Sequence, residues 1–290
     1  MKKIAFIKRS NGDHWVGDGF PVRNIFSYSD IAADISPFLL MDYAGPAHFP
    51  PTERKLGVGQ HPHRGFETVT IVYEGGVSHR DSAGGGGTIG PGDVQWMTAG
   101  AGLVHEEYHS PEFAKAGGPF EMIQLWVNLP AHAKMSPPAY QSIARTQIPI
   151  IKLPDDAGQA RVIAGHLSGH TGPARTFTPM NVWDLQLNAG HRVTFELTEG
   201  HTLAVFVLKG AVQVSSQQTV REAELAVMEQ SGRLLMMDVE QDTAALLLAG
   251  APLNEPIVGH GPFVMNTHAE IREAIEDFRN GRFGRIRAGA

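Results

Sequence analysis

The chain has 290 residues, 42% of them apolar and 19% charged, with a formal net charge of -6. That length suits two ordinary domains, the composition excludes extended disorder, and the acidic balance leaves no electrostatic footprint for direct nucleic-acid binding. Cysteine is absent, which excludes disulfides, thiolate metal sites and cysteine nucleophiles, so any metal chemistry falls to histidine and carboxylate.

The opening Met1-Lys2-Lys3 is basic, but the apolar run from Ile4 to Ile7 is too short for a signal peptide. No apolar run approaches a membrane span, so a cytoplasmic location with no membrane partner is expected. Glycine (33) and proline (19) punctuate short apolar runs, the pattern of many strands joined by tight turns, and the fold class reads as mainly β. Residues 68–73 are β-branched and aromatic, a strong strand signal turned by Glu74-Gly75-Gly76. Further strands are expected over 77–80, 94–97 and 120–127. Gly84 to Gly87 reads as a hairpin end and not a phosphate cradle, because no lysine or helix start follows. Met135-Ser136-Pro137-Pro138 reads as a connector, dividing the chain into domains 1–145 and 146–290.

The second half repeats the rhythm of the first. Setting Gly210 against Gly75 lays 202–210 over 67–75 and brings Val227-Met228 against Trp96-Met97, which predicts two copies of one barrel. In that register His61 and His63 become Glu196 and Thr198, while His105 and Glu107 fall near Met236 and Asp238, so the second barrel lacks the imidazoles. Beyond it, Thr267-His268-Ala269-Glu270 has capping-box spacing, Ile271, Ala274, Ile275 and Phe278 recur at helical spacing, and Gly281 follows. One amphipathic helix over 267–280, docked by its apolar stripe on a barrel, is expected to end the second domain.

The chemistry concentrates in His61-Pro62-His63-Arg64-Gly65-Phe66-Glu67 and in His105-Glu106-Glu107. Side chains two apart on a strand share a face, with α-carbons roughly 6.5 to 7 Å apart. If the two strands face each other across a barrel, His61, His63, His105 and Glu107 converge in its interior as a ligand set for one divalent transition metal. Burying them unpaired would be costly. Glu67 shares the parity of His61 and His63 and is expected to point inward too, as a partner holding a ligand. The remaining histidines, His79 and His109 among them, read as surface or locally hydrogen-bonded residues. Trp96, Met122 and Trp126 read as core, with a substrate mouth as the functional alternative.

The run His61-x-His63-x3-Glu67 followed by Gly75, then Gly100-x-Gly102-x-x-His105, resembles the two motifs of the cupin superfamily, with Gly100 where proline is commoner. His61 to Thr70, Gly92 to Gly100, Asn128-Leu129-Pro130, Gly261 to Thr267 and Phe278 to Gly284 are similar to the pirin family. This resemblance covers essentially the whole chain. It implies a bicupin, two tandem antiparallel β-barrels of the jelly-roll type with a short C-terminal α-helix. The N-terminal barrel would hold one metal, usually iron, through His61, His63, His105 and Glu107. The ligand set alone does not choose iron over Ni, Mn, Co, Cu or Zn.

Pirins are reported to act as quercetin 2,3-dioxygenases. The resemblance therefore implies a flavonol or similar chelating phenol bound through its 3-hydroxyl, Glu107 as general base, and ring opening by O2 with loss of carbon monoxide. It also implies a competing role, a redox-sensitive iron-binding regulator whose protein partner is a transcription factor or a metabolic enzyme. A sugar isomerase on the same frame would need an anion-binding Arg or Lys at the cavity mouth, and the first motif supplies only Arg64.

Overall fold

Short β-branched runs separated by glycine turns pair in antiparallel ladders throughout this chain. The computed structural model describes residues 1–10, 12–215 and 218–286. They form two β units of like topology, each built from a seven-stranded and a four-stranded sheet. In the unit that carries the histidine motifs, the larger sheet runs in the order Ala139–Ile143, Val94–Thr98, Phe66–Glu74, Gly118–Asn128, Phe38–Phe49, Phe20–Phe26 and Asp13–Val16. The smaller sheet runs Gly57–His63, Leu103–His109, Val77–Asp81, Gly86–Ile89. The expected strands and the Gly84–Gly87 hairpin end are all present. Among the described residues no helix is long and apolar enough to cross a membrane.

The other unit repeats this order. Its larger sheet is Ile4–Arg9, Glu224–Met228, Thr202–Lys209, Thr243–Gly250, Met180–Leu187, Gly158–Ala164 and Ile150–Lys152, and its smaller sheet is Arg192–Glu196, Leu234–Val239, Ala211–Val214 and Gln218–Arg221. Thr202–Lys209 therefore occupies the place of Phe66–Glu74, and Glu224–Met228 that of Val94–Thr98, as the internal repeat requires. The inward-facing set, however, is Val193 and Phe195 on one strand and Leu235 and Met237 on its neighbour, all buried in one hydrocarbon core. Glu196 and Thr198, the positions aligned with His61 and His63, are exposed. A one-residue offset along a strand reverses the face of every side chain, and the sequence register carries that offset.

The two compact units also depart from the expected division at 145/146. One comprises 1–10, 34–37 and 146–253, and the other 11–33, 38–145 and 254–290. The chain start belongs with the second half because Ile4–Arg9 pairs with Glu224–Met228. It supplies there the edge strand that Ala139–Ile143 supplies in the other unit.

The C-terminal tail belongs with the histidine-bearing unit for two reasons that apolar periodicity does not show. Helix His268–Arg279 starts with the expected capping box, Thr267 Oγ1 accepting from the Glu270 backbone and the Glu270 carboxylate from that of Thr267. Its buried face comprises Ile271, Ala274 and Asp277, whereas Phe278 is 40% exposed. Asp277 accepts a hydrogen bond at 2.7 Å from the buried Arg64 guanidinium, which also donates to the Ala101 carbonyl. Lys134, 1% exposed, spends its three ammonium protons on the carbonyls of Gly65 and Val264 and on Asn128 Oδ1, at 2.7–2.9 Å. Gly65 has φ +90°, and a Cβ there would stand 2.0 Å from the Val264 carbonyl oxygen, so only glycine lets the tail approach the histidine turn this closely.

Lys134 thus ties the turn after His63 to the tail. Replacing it with methionine keeps the length of the side chain and strands three buried acceptors, each costing about 1–3 kcal/mol before relaxation. Lys134→Met is expected to destabilise the protein by about 2–4 kcal/mol in urea unfolding; a change within 0.5 kcal/mol would show that the tie is dispensable.

Candidate metal centre

Gly57–His63 and Leu103–His109 are hydrogen-bonded neighbours in one sheet, not strands facing each other across the barrel, and His105 lies directly opposite His61. Val77–Asp81 flanks the other side of Leu103–His109, with Glu107 opposite His79 and His105 opposite Asp81. Alternation along these strands turns one set inward. Three adjacent strands thereby deliver His61, His63, His79, Asp81, His105 and Glu107 to the same face.

His61, His63 and His105 present ligand nitrogens that all lie within 4.8 Å of one another, and His79, His105 and Glu107 form a second such group sharing His105. The ring nitrogens divide their work. His61 Nδ1 lies 2.8 Å from the Gly59 carbonyl and His63 Nδ1 lies 3.4 Å from that of Pro262, so both donate from Nδ1. His105 Nδ1 faces His79 Nδ1 at 3.3 Å. His105 Nε2 is buried with no hydrogen-bond partner among the described residues. Burial, reinforced by the neighbouring imidazoles, holds His63 and His105 well below the usual histidine range, which keeps them neutral and able to donate lone pairs. A cluster of imidazoles, two of them held neutral by burial, and a carboxylate, with one buried nitrogen unsatisfied, fits a single divalent metal ion.

The opposite wall is polar as well. Gln95 Nε2 donates to Glu107 Oε1 at 2.5 Å and to Thr70 Oγ1 at 3.0 Å, and Thr70 donates to Gln124. Thr70 therefore faces the site from Phe66–Glu74, and even-numbered residues of that strand face inward. Glu67 is of the other parity, in an unbroken register with Thr98, so it stands on the far face of the sheet and not beside the histidines. The expectation for Glu67 fails because Arg64-Gly65 carries the chain from one sheet to the other, and parity does not pass through that turn. Trp96, opposite Val69, shares the far face. Met122 packs in the barrel's apolar end. Trp126 lies beside the site, its ring 5.1 Å from that of His63 and stacked on Phe66 at 4.2 Å.

His109, of the same parity as His105, is buried among Phe20, Phe49, Phe113 and Phe120 and bonds the Gly19 carbonyl. Arg64 is committed to Asp277 and Ala101 and is not the anion-binding group that an isomerase on this frame would need. His79 is the residue missed. It is 1% exposed at the centre of the site, and the alternation Val77, His79, Asp81 was its signal, masked by the equally polar set Ser78 and Arg80.

Paired antiparallel barrels, with an imidazole cluster inside one and hydrocarbon inside the other, define a bicupin with one candidate metal centre. The family model for pirin matches residues 19–127, and that for the pirin C-terminal cupin domain matches 182–284. A solved quercetin 2,3-dioxygenase from Acinetobacter baumannii is 56% identical, with a TM-score of 0.96 over 99% of this chain and 100% of its own. A Pseudomonas aeruginosa relative, provisionally named for the same activity, is 56% identical over 98% of this chain and 99% of its own. Human pirin is 37% identical over 94% of this chain and 91% of its own. The chain belongs to the pirin family.

Burial pushes the Glu67 carboxyl up from 4.5 to about 7, against the opposing pull of the hydrogen bond from Thr98. Between those values the folded chain holds a proton that the unfolded chain has released, so stability falls as pH rises from 4.5 to about 7 and stays lowered above it. Glu67→Gln lacks this titration. Relative to wild type, its unfolding free energy is expected to gain about 1–3 kcal/mol between pH 5 and pH 8 in urea titrations of metal-free protein. A constant difference across that range would contradict the assigned burial.

Proposed function

We propose that the protein is a metal-dependent dioxygenase of the quercetin 2,3-dioxygenase type, holding one divalent metal, iron by family preference, through His61, His63, His105 and Glu107. The observation that carries this reading is the unsatisfied His105 Nε2 buried beside the nitrogens of His61 and His63. The 56% identity to the Acinetobacter dioxygenase over the full chain supports the activity. The substrate class is a flavonol or similar chelating phenol, consumed with O2 and releasing carbon monoxide.

When bound, the metal supplies Lewis acidity toward a substrate oxygen. The protein's own residues orient and move the proton. Gln95 holds Glu107 Oε1 and so aims the carboxylate into the site, where it would serve both as a ligand and as general base for the phenolic proton. His61 is only half-buried, so the cluster opens on its side. Trp126, with Phe66 stacked behind it, offers an aromatic wall next to His63 against which a planar phenol packs.

Iron-loaded protein supplied with quercetin is expected to take up oxygen and release carbon monoxide in equal amounts, and His105→Ala is expected to do neither. Glu107→Gln should lower kcat about 10²-fold or more. Wild-type protein verified to hold one iron, yet taking up no oxygen with quercetin, would overturn the enzymatic reading for flavonols.

A further inference from the structure

Behind His105 stands a second histidine that the proposed chemistry does not use. His79 Nδ1 lies 3.3 Å from His105 Nδ1, and His79 Nε2 lies 3.2 Å from Asp81 Oδ2. Asp81 Oδ1 accepts from the backbone N–H groups of Ala83 and Gly85, both at 2.9 Å. Asp81 is therefore anchored as an acceptor-only carboxylate, 6% exposed. Its carboxyl is held below the usual range because hydrogen bonds from His79, Gly85 and Ala83 outweigh the upward push of burial.

The hydrogen-bond directions follow in sequence. A carboxylate only accepts, so His79 Nε2 carries the proton and donates to Asp81. With its single proton committed to Asp81, the His79 ring has a bare Nδ1, and in that tautomer it accepts from His105 Nδ1–H. Neutral His105 with its proton on Nδ1 has its lone pair on Nε2, the buried atom that lacks a partner. We infer that His79 and Asp81 are positioning residues that fix the tautomer and ring orientation of His105 and so set the metal affinity of the site. Tyr140 braces this arrangement. Its ring stacks on His79 at 5.0 Å with a 10° interplanar angle, and its hydroxyl donates to Gln95, the residue that clamps Glu107. Both candidate ligands on Leu103–His109 are thus held from behind.

The inference rests on His105 being a metal ligand, and the test separates the two claims. Cobalt(II) is titrated into the full-length protein, followed by its visible d–d absorption, together with the proton NMR spectrum of the loaded form. Wild type is expected to bind one equivalent and to show, besides the Nδ1 protons of His61 and His63, one hyperfine-shifted exchangeable proton from His105 Nδ1 that is absent in His105→Ala. Asp81→Asn presents an amide N–H to His79 Nε2, reverses the chain of donors and moves the His105 proton onto Nε2. His79→Phe keeps the stacking on Tyr140 and removes the acceptor. Both variants are expected to bind cobalt about 10- to 100-fold more weakly, with an altered absorption band and loss of the exchangeable signal.

His79→Gln can accept through Oε1 and donate through Nε2, and is expected to restore affinity to within a few-fold of wild type. Because it conserves size and polarity, it also guards against misfolding of the phenylalanine variant. Wild-type affinity and spectrum in folded His79→Phe, or failure of His79→Gln to recover binding, would overturn the positioning role. Wild-type protein that binds no cobalt would instead remove the metal centre itself, and the positioning role with it.

Discussion

Three imidazoles gathered in one place inside a barrel must each find a use for two ring nitrogens. In this chain Nδ1 of each ring turns to the backbone or to another histidine, and His105 Nε2 is left buried with no partner among the described residues. The barrel wall follows from it. Gln95, Thr70 and Gln124 occupy interior positions that would otherwise carry hydrocarbon, because the carboxylate of Glu107 needs a donor and that donor needs partners of its own. The apolar core is displaced to one end, around Phe20, Phe49, Phe113 and Phe120, where His109 keeps a single hydrogen bond. The second barrel, under no such constraint, fills the same positions with Val193, Phe195, Leu235 and Met237.

The centre also depends on parts of the chain distant in sequence. His63 is backed by the Pro262 carbonyl, Gly65 closes on Val264, and Lys134 binds the carbonyls of both Gly65 and Val264. A tail that apolar periodicity assigns to the second domain therefore supports the candidate metal centre of the first barrel. Its helix turns an aspartate, not only its apolar stripe, toward the barrel, and Arg64 of the histidine motif is the residue that receives it. The motif thus has two jobs, since its histidines face the site and its arginine fastens the tail.

Much of this was legible from residue order. Strand placement, the internal repeat, the capping box and the convergence of His61, His63 and His105 follow from periodicity, and the family from motifs spread along the chain, while Glu107 shares their face but groups with His79 and His105. The failures share one cause: alternation is a local rule that stops where the backbone changes sheet. Glu67 was carried inward across Gly65, and Glu196 was matched to an interior position one residue out of phase. His79 reads as surface or locally hydrogen-bonded, and its place beside His105 is not legible because both faces of its strand are polar, so burial does not follow from pattern alone. Long-range pairing, such as Ile4–Arg9 with Glu224–Met228, leaves no trace in local composition.

The central claim is that one metal is bound in the first barrel by three imidazoles and one carboxylate. X-ray absorption at the metal edge, on protein loaded with one equivalent of iron, tests it most directly. The expected scattering pattern is fitted by three imidazole rings with nitrogen and oxygen neighbours only, falling to two rings in His63→Ala. A wild-type spectrum with one ring or none, or one unchanged in His63→Ala, would contradict it.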